Sequence, residues 1–287
     1  MERSGDVLSR IGVITRLAPS GPCFRGLLDF GLRTCQLSSW EPELWTSERA
    51  REVRREAEGS GVRVTALWAG WVGPRVWDFV SGPATLGIVP REYRAARLDN
   101  LKRGGELARE LGLPAIITHL GFIPENPSDS LFAEVVEAVR EVALHLRSLG
   151  LEFWFETGQE TPVTMLRLIR AVGTDNLGVN LDPANLILYG KGNPIDALDV
   201  LGSHVRNVHA KDGLYPTDPM RLGREVRVGE GRVRYPELLK RLHAEGFRGE
   251  LIIEREISGA EQAADIRATV GYLSRLLADL PPVPAEP

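Results

Sequence analysis

EFWFE (152–156), LGVNLD (177–182), VRNVH (205–209) and ELIIE (250–254) are the stretches that decide the fold of this chain. Each is a short apolar run closing on an ionisable residue: Glu156, Asp182, His209 and Glu254. Runs of this kind read as parallel strands buried on both faces, which end by handing over to a polar loop. Side chains alternate across a strand. Glu152, Trp154 and Glu156 therefore share a face, as do Gly178, Asn180 and Asp182, then Val205, Asn207 and His209, and last Glu250, Ile252 and Glu254. The other faces carry the apolar residues that helices would cover, so the polar-ended face is the interior. Polar groups there are costly to bury unless they coordinate something. Three carboxylates and one imidazole make the donor set of a divalent-cation site. Oxygen donors with a single imidazole suit Mn²⁺ or Mg²⁺ best, with Co²⁺ or Zn²⁺ as alternatives set by availability.

Working outward, four further strands are predicted at about 10–15, 33–38, 62–68 and 115–119. Helical patterns separate them, over about 47–58, 92–111, 131–149, 162–171, 194–201, 236–245 and 260–278, with a helix-like stretch from Phe24. The clearest is 131–149, where Phe132, Val135, Val136, Val139, Val142, Ala143 and Leu146 form one stripe. Eight strand–helix alternations without a composition break point to an α/β protein with a parallel sheet, either open or closed. Eight units in a chain of this length favour a closed (β/α)8 TIM barrel, which takes about 250 residues. A single domain is expected over 1–280, with 281–287 (PPVPAEP) as a flexible Pro-rich tail. Active sites of such barrels lie at the carboxyl ends of the strands, where the four residues fall. Two long segments, 69–91 and 212–234, follow the third and seventh strands and are expected to flank the same mouth as a lid.

The composition excludes several classes. A net charge of −4 offers no global field for nucleic acid or anionic membrane. No apolar stretch approaches the roughly 20 residues of a membrane span. The start MERSGDVLSRIGV lacks the apolar core of a signal peptide. Cys23 and Cys35, without CxxC spacing, fit a reduced cytoplasmic setting.

The strings HLGFIP (119–124), FET (155–157), NLDPANL (180–186), VHAKD (208–212), VGEG (228–231) and IIERE (252–256) resemble the xylose isomerase-like TIM barrel superfamily. That superfamily holds sugar phosphate isomerases and epimerases, the ketose 3-epimerases among them, and apurinic-site endonucleases. The ketose 3-epimerase pattern implies one divalent cation held by Glu156, Asp182, His209 and Glu254. The resemblance implies proton transfer next to a carbonyl through a cation-stabilised enediolate, with Glu156 and Glu254 on opposite faces of the substrate as acid and base. A keto-sugar or inosose-type dehydratase or lyase shares the first half of that chemistry. An endonuclease is disfavoured, because His occurs only at 119, 145, 204, 209 and 243. The expected partner is a small sugar, sugar phosphate or polyol, and the family resemblance allows a homo-oligomer.

Two departures stand out. Asn185 occupies the position of a substrate-binding His, and Glu225 that of an Arg before the VGEG turn. Further substrate-binding candidates are His119, Lys211, Trp68 and Trp40, with Trp71 beside them. Substrate contact is the reading for His119 over a structural histidine and for Lys211 over a surface residue, while core packing is an equal alternative for Trp68. Arg227, Lys211 and Arg255 are the basic residues that could point into the mouth.

Overall fold

The computed structural model of the chain describes residues 7–281. All but Pro281 of the expected 281–287 tail lies outside the described residues. The strands are β1 (Ile11–Arg16), β2 (Thr34–Ser39), β3 (Arg63–Ala69), β4 (Ala115–Thr118), β5 (Glu152–Glu156), β6 (Leu177–Leu181), β7 (Val205–Ala210), β8 (Asp212–Leu214), β9 (Arg224–Val226) and β10 (Leu251–Ile253). Eight of them close into one parallel barrel in the order β1-β10-β7-β6-β5-β4-β3-β2. The helices are α1 (Arg25–Leu28), α2 (Ser47–Ser60), α3 (Gly82–Thr85), α4 (Arg91–Leu111), α5 (Ser130–Ser148), α6 (Pro162–Val172), α7 (Pro183–Leu188), α8 (Leu198–Leu201), α9 (Tyr235–Ala244) and α10 (Ala260–Ala278). The fold is a single (β/α)8 TIM barrel.

Local chemistry explains most boundaries. Helix α5 starts where the Asp129 side chain accepts from Leu131 N at 2.8 Å, and its predicted stripe is buried. Helix α6 has Thr161 as its cap and Pro162 in its first turn, where a missing N–H costs nothing. It stops at Gly173, as α4 stops at Gly112, each in the left-handed region.

Three expectations need correction. Strands β4, β6 and β10 end one residue early, at Thr118, Leu181 and Ile253, so His119, Asp182 and Glu254 are the first residues of the following loops. Asp182 instead caps α7, a helix absent from the sequence reading because six residues show no period. The helix expected at 194–201 shrinks to α8. The 212–234 segment is not a plain loop, since β8 and β9 pair antiparallel as a separate ribbon.

The 70–90 segment is held by α4. Arg97, fully buried, donates to the carbonyls of Val72 (3.1 Å), Pro74 (2.8 Å) and Gly87. Gly87 and Gly121 let two backbones touch: a Cβ on Gly87 would lie 2.0 Å from the Leu120 carbonyl. Inside the barrel, Ala66, Trp68, Trp71, Leu86, Ala115, Ile117 and Trp154 pack together, apart from the larger layer between strands and helices. Among the described residues, no helix is long and apolar enough to cross a membrane.

Candidate metal centre

Glu156, Asp182, His209 and Glu254 each offer one donor atom, and those atoms all lie within 4.8 Å of one another. His209 Nδ1 is 3.1 Å from Glu156 Oε1 and 3.0 Å from Glu254 Oε2. Glu156 is held on both oxygens. The indole N–H of Trp68 donates to Oε2, while Asn185 Nδ2 and His119 Nε2 both lie 3.4 Å from Oε1. Asp182 Oδ1 accepts from Asn185 N at 2.8 Å, capping α7, and the Thr157 hydroxyl bonds the Asp182 backbone on both sides. Asp182 Oδ2 has no hydrogen-bond partner. Nor has Glu254 Oε2, whose contacts to His209 and Lys211 lie outside hydrogen-bond geometry. Two buried carboxylate oxygens left over beside an imidazole are what a hard divalent cation needs, so the donor set fits one.

Above this cluster opens a cavity of about 300 Å³. Of the residues singled out from sequence, Trp40, Trp68, His119, Glu156, Asn185, Lys211 and Glu254 line it. Asp182 and His209 lie beneath, fully buried. Trp71 is also buried, packed against Trp40 and Trp68. Arg75, Trp77, Tyr189 and Glu256 line the cavity too, and none was singled out. Arg75 and Trp77 sit in the irregular segment after β3, with the Arg75 guanidinium 4.4 Å above the Trp40 ring. Of the three basic candidates, Lys211 points in, at 2.8 Å from Glu256, 3.6 Å from Glu254 and 3.8 Å from Asp182. Arg255 turns to Glu225 and Asp265, and Arg227 to Glu230. Glu225 thus neutralises Arg255 rather than facing the cavity. The VGEG turn also finds a purpose: the N–H groups of Gly229, Gly231 and Val233 all donate to Asp212, at 3.0–3.1 Å.

A model of the xylose isomerase-like TIM barrel family matches residues 24–276. The chain belongs to that family. A xylose isomerase domain protein from Planctomyces limnophilus superposes with a TM-score of 0.87 at 34% identity, covering 94% of this chain and 97% of that one. A D-tagatose 3-epimerase-like protein shares the fold, with a TM-score of 0.71 at 17% identity over 94% and 98% of the two chains. Uncharacterized protein MJ1311 of Methanocaldococcus jannaschii is 25% identical over 187 residues, 61% of this chain and 60% of its own length.

In this xylose isomerase-like barrel, charge is concentrated and balanced at close range. Burial alone would lower His209, but Glu156 and Glu254 outweigh it and hold the imidazole well above the ordinary histidine range. His119 is raised by Glu156 in the same way against its burial. Burial would raise Glu156, yet the two histidines bring it well below the usual carboxylate range. Glu254 is lowered by Lys211 and His209 against its own burial. Asp182 goes the other way. Burial pushes it up to about 8, with Lys211 opposing and Glu254 and Glu156 adding to the rise.

Glu160, four residues past Glu156, is also buried, with Oε2 unpartnered, and burial pushes its carboxyl up to about 7. Its folded value lies above the unfolded one of about 4.5. The folded state therefore holds an extra proton between those values, and stability falls as pH rises through that window. Glu160→Gln, which mimics the neutral form, is expected to remove this fall, on the order of 3 kcal/mol. Urea unfolding at pH 5 and pH 8 measures it. Equal pH slopes in wild type and variant would show that Glu160 titrates normally.

Proposed function

We propose that this barrel is a divalent-cation-dependent sugar isomerase or epimerase that moves a proton on the carbon next to a carbonyl. The observation that carries the reading is the pair Glu156 and Glu254, both lining the cavity and both in one donor cluster with Asp182 and His209. A Mn²⁺ or Mg²⁺ ion on those four residues would draw charge from two neighbouring oxygens of a ketose and stabilise the anion left when the proton departs. Glu156 and Glu254 are assigned as the groups that remove and return that proton. Both are held ionised by their neighbours, as a base must be. Lys211 and His119 are positioned to meet substrate oxygens, and Asn185 can do so through its amide. Trp40 and Trp77 offer ring faces and edges against which a sugar can stack.

The test is solvent exchange. Purified protein with Mn²⁺ in D2O, offered a panel of ketoses, sugar phosphates and keto-polyols, is expected to place deuterium next to the carbonyl and yield an epimer or isomer. Exchange followed by loss of water would identify a dehydratase on the same site. Absence of exchange with every ketose and polyol would reject the reading.

A further inference from the structure

We propose that Gln36 is a positioning residue that fixes the tautomer of His209 and so presents the Nδ1 lone pair to the cation; the inference rests on the cation-site reading above. Gln36, Asn180, Asn207 and His209 are all fully buried beneath the cavity. His209 Nε2 lies 2.8 Å from Gln36 Oε1. Which of the two donates is settled by a chain of amides ending on the backbone. In one orientation of the Asn207 amide the oxygen faces only acceptors and Nδ2 faces the Val208 and Gln36 donors. Turning the amide half a revolution sets Nδ2 against the Glu250 carbonyl at 3.2 Å, which can only accept, and its oxygen against the Val208 N–H at 3.3 Å, which can only donate. That oxygen is 3.2 Å from Gln36 Nε2, so Gln36 donates to it and must turn Oε1 to His209. The Asn180 atom 2.5 Å from this oxygen is Oδ1, so the Asn180 amide must turn as well, which brings its otherwise unpartnered Nδ2 to the same oxygen. In its neutral form, the form a cation binds, His209 therefore carries its proton on Nε2. Reversing the order would leave buried donors facing donors, at about 1–3 kcal/mol each.

With Nε2–H committed, Nδ1 is the ligand atom, and it is the atom that faces Glu156 and Glu254. A hydrogen bond to the far nitrogen both orients the ring and makes it a better donor, and such partners typically contribute 10–100-fold in metal affinity. Sequence position gives no hint of this role. Gln36 lies mid-strand in β2, and barrel closure brings it across the interior to β7.

Mn²⁺ binding by calorimetry, and ¹⁵N-histidine NMR of the cation-free protein at a pH high enough to leave the His209 ring neutral, test the role in wild type, Gln36→Met and Gln36→Glu. Gln36→Met keeps the volume and loses the acceptor, and is expected to bind Mn²⁺ about 10–100-fold more weakly. Gln36→Glu keeps an acceptor and should stay within about threefold of wild type, because the Nε2–H bond survives. Wild-type spectra should show a proton on His209 Nε2. A bare Nε2 would overturn the proposal even if neither variant folds. So would wild-type affinity in Gln36→Met, or equal losses in both variants, which packing alone would produce. Failure of wild type to bind Mn²⁺ would instead reject the cation site, and the Nε2 signal would still decide the tautomer.

Discussion

Glu156→Gln is expected to lower turnover by about 10²–10⁴-fold while leaving the barrel folded. The amide is isosteric and keeps one oxygen, so packing against Trp68, His119 and Asn185 survives in outline. It cannot take a proton, and one of its two positions must now be a donor. Trp68 Nε1–H already donates to one oxygen, and Asn185 Nδ2 faces the other. Wherever the NH₂ points, a donor meets a donor, which adds a cost of about 1–3 kcal/mol to the lost charge. Glu254→Gln is expected to lose turnover similarly, but with less local strain, since Glu254 Oε2 has no hydrogen bond to break. The two variants should differ in a way that separates acid/base work from cation loss. If the glutamates act on opposite faces, each single variant keeps the base for one of two epimers. It should then still wash deuterium into that epimer while failing to interconvert the pair. Cation content, exchange and turnover measured on the same samples decide it. Loss of turnover in strict proportion to lost cation would reduce both residues to ligands.

The strand ends were legible because a strand buried on both faces is apolar along most of its length, so an ionisable residue that closes such a run marks its end to within a residue. Side-chain alternation then placed Glu156, Asp182, His209 and Glu254 on one face. The registers Trp154↔Gly178 and Glu156↔Asn180 pair residues of those shared faces. Less could be read where the chain has no period. Strands β8 and β9 are three residues each, and α7 is a turn and a half. Arg75 and Trp77 lie in an irregular segment whose course is set from outside it, by Arg97 of α4 and by the backbone contact at Gly87. Nothing local in 70–90 announces that Trp77 will pack 5.2 Å from His119. Gln36 was hidden for another reason. A glutamine in TCQLSS reads as an ordinary strand residue, and its partner lies 173 positions away. Contacts across a barrel interior depend on closure, which no local pattern encodes.

Asp182→Asn is expected to abolish cation-dependent stabilisation while making the cation-free protein more stable than wild type near neutral pH. The substitution keeps an Oδ1 acceptor, so the 2.8 Å cap on Asn185 N and hence α7 survive. It removes a carboxyl that the cation-free fold keeps from ionising, at a cost relative to the unfolded chain. Oδ2 has no hydrogen bond, and its closest cation is Lys211 Nζ at 3.8 Å. Burial therefore raises the carboxyl from 3.8 to about 8. Because the folded value is raised, the folded state keeps a proton that the unfolded chain has released, and stability falls as pH climbs from about 4 to 8. The loss is about 1.4 kcal/mol for each unit of that window, so several kcal/mol separate the two limits. A bound divalent cation reverses the sign, since it needs the ionised form and binds only the folded chain. At 100 times its Kd it adds about 2.7 kcal/mol. Thermal melts with EDTA or Mn²⁺, from pH 5 to pH 8, follow both effects at once. Wild type should show a Mn²⁺-induced rise in Tm that grows with pH, as the proton on Asp182 ceases to compete. The variant should show a flatter EDTA curve, crossing above wild type towards pH 8, and little response to Mn²⁺. An undiminished Mn²⁺ response in Asp182→Asn would remove Asp182 from the ligand set. An EDTA curve below wild type at pH 8 would mean that Lys211 compensates the buried carboxylate more fully than a 3.8 Å separation implies.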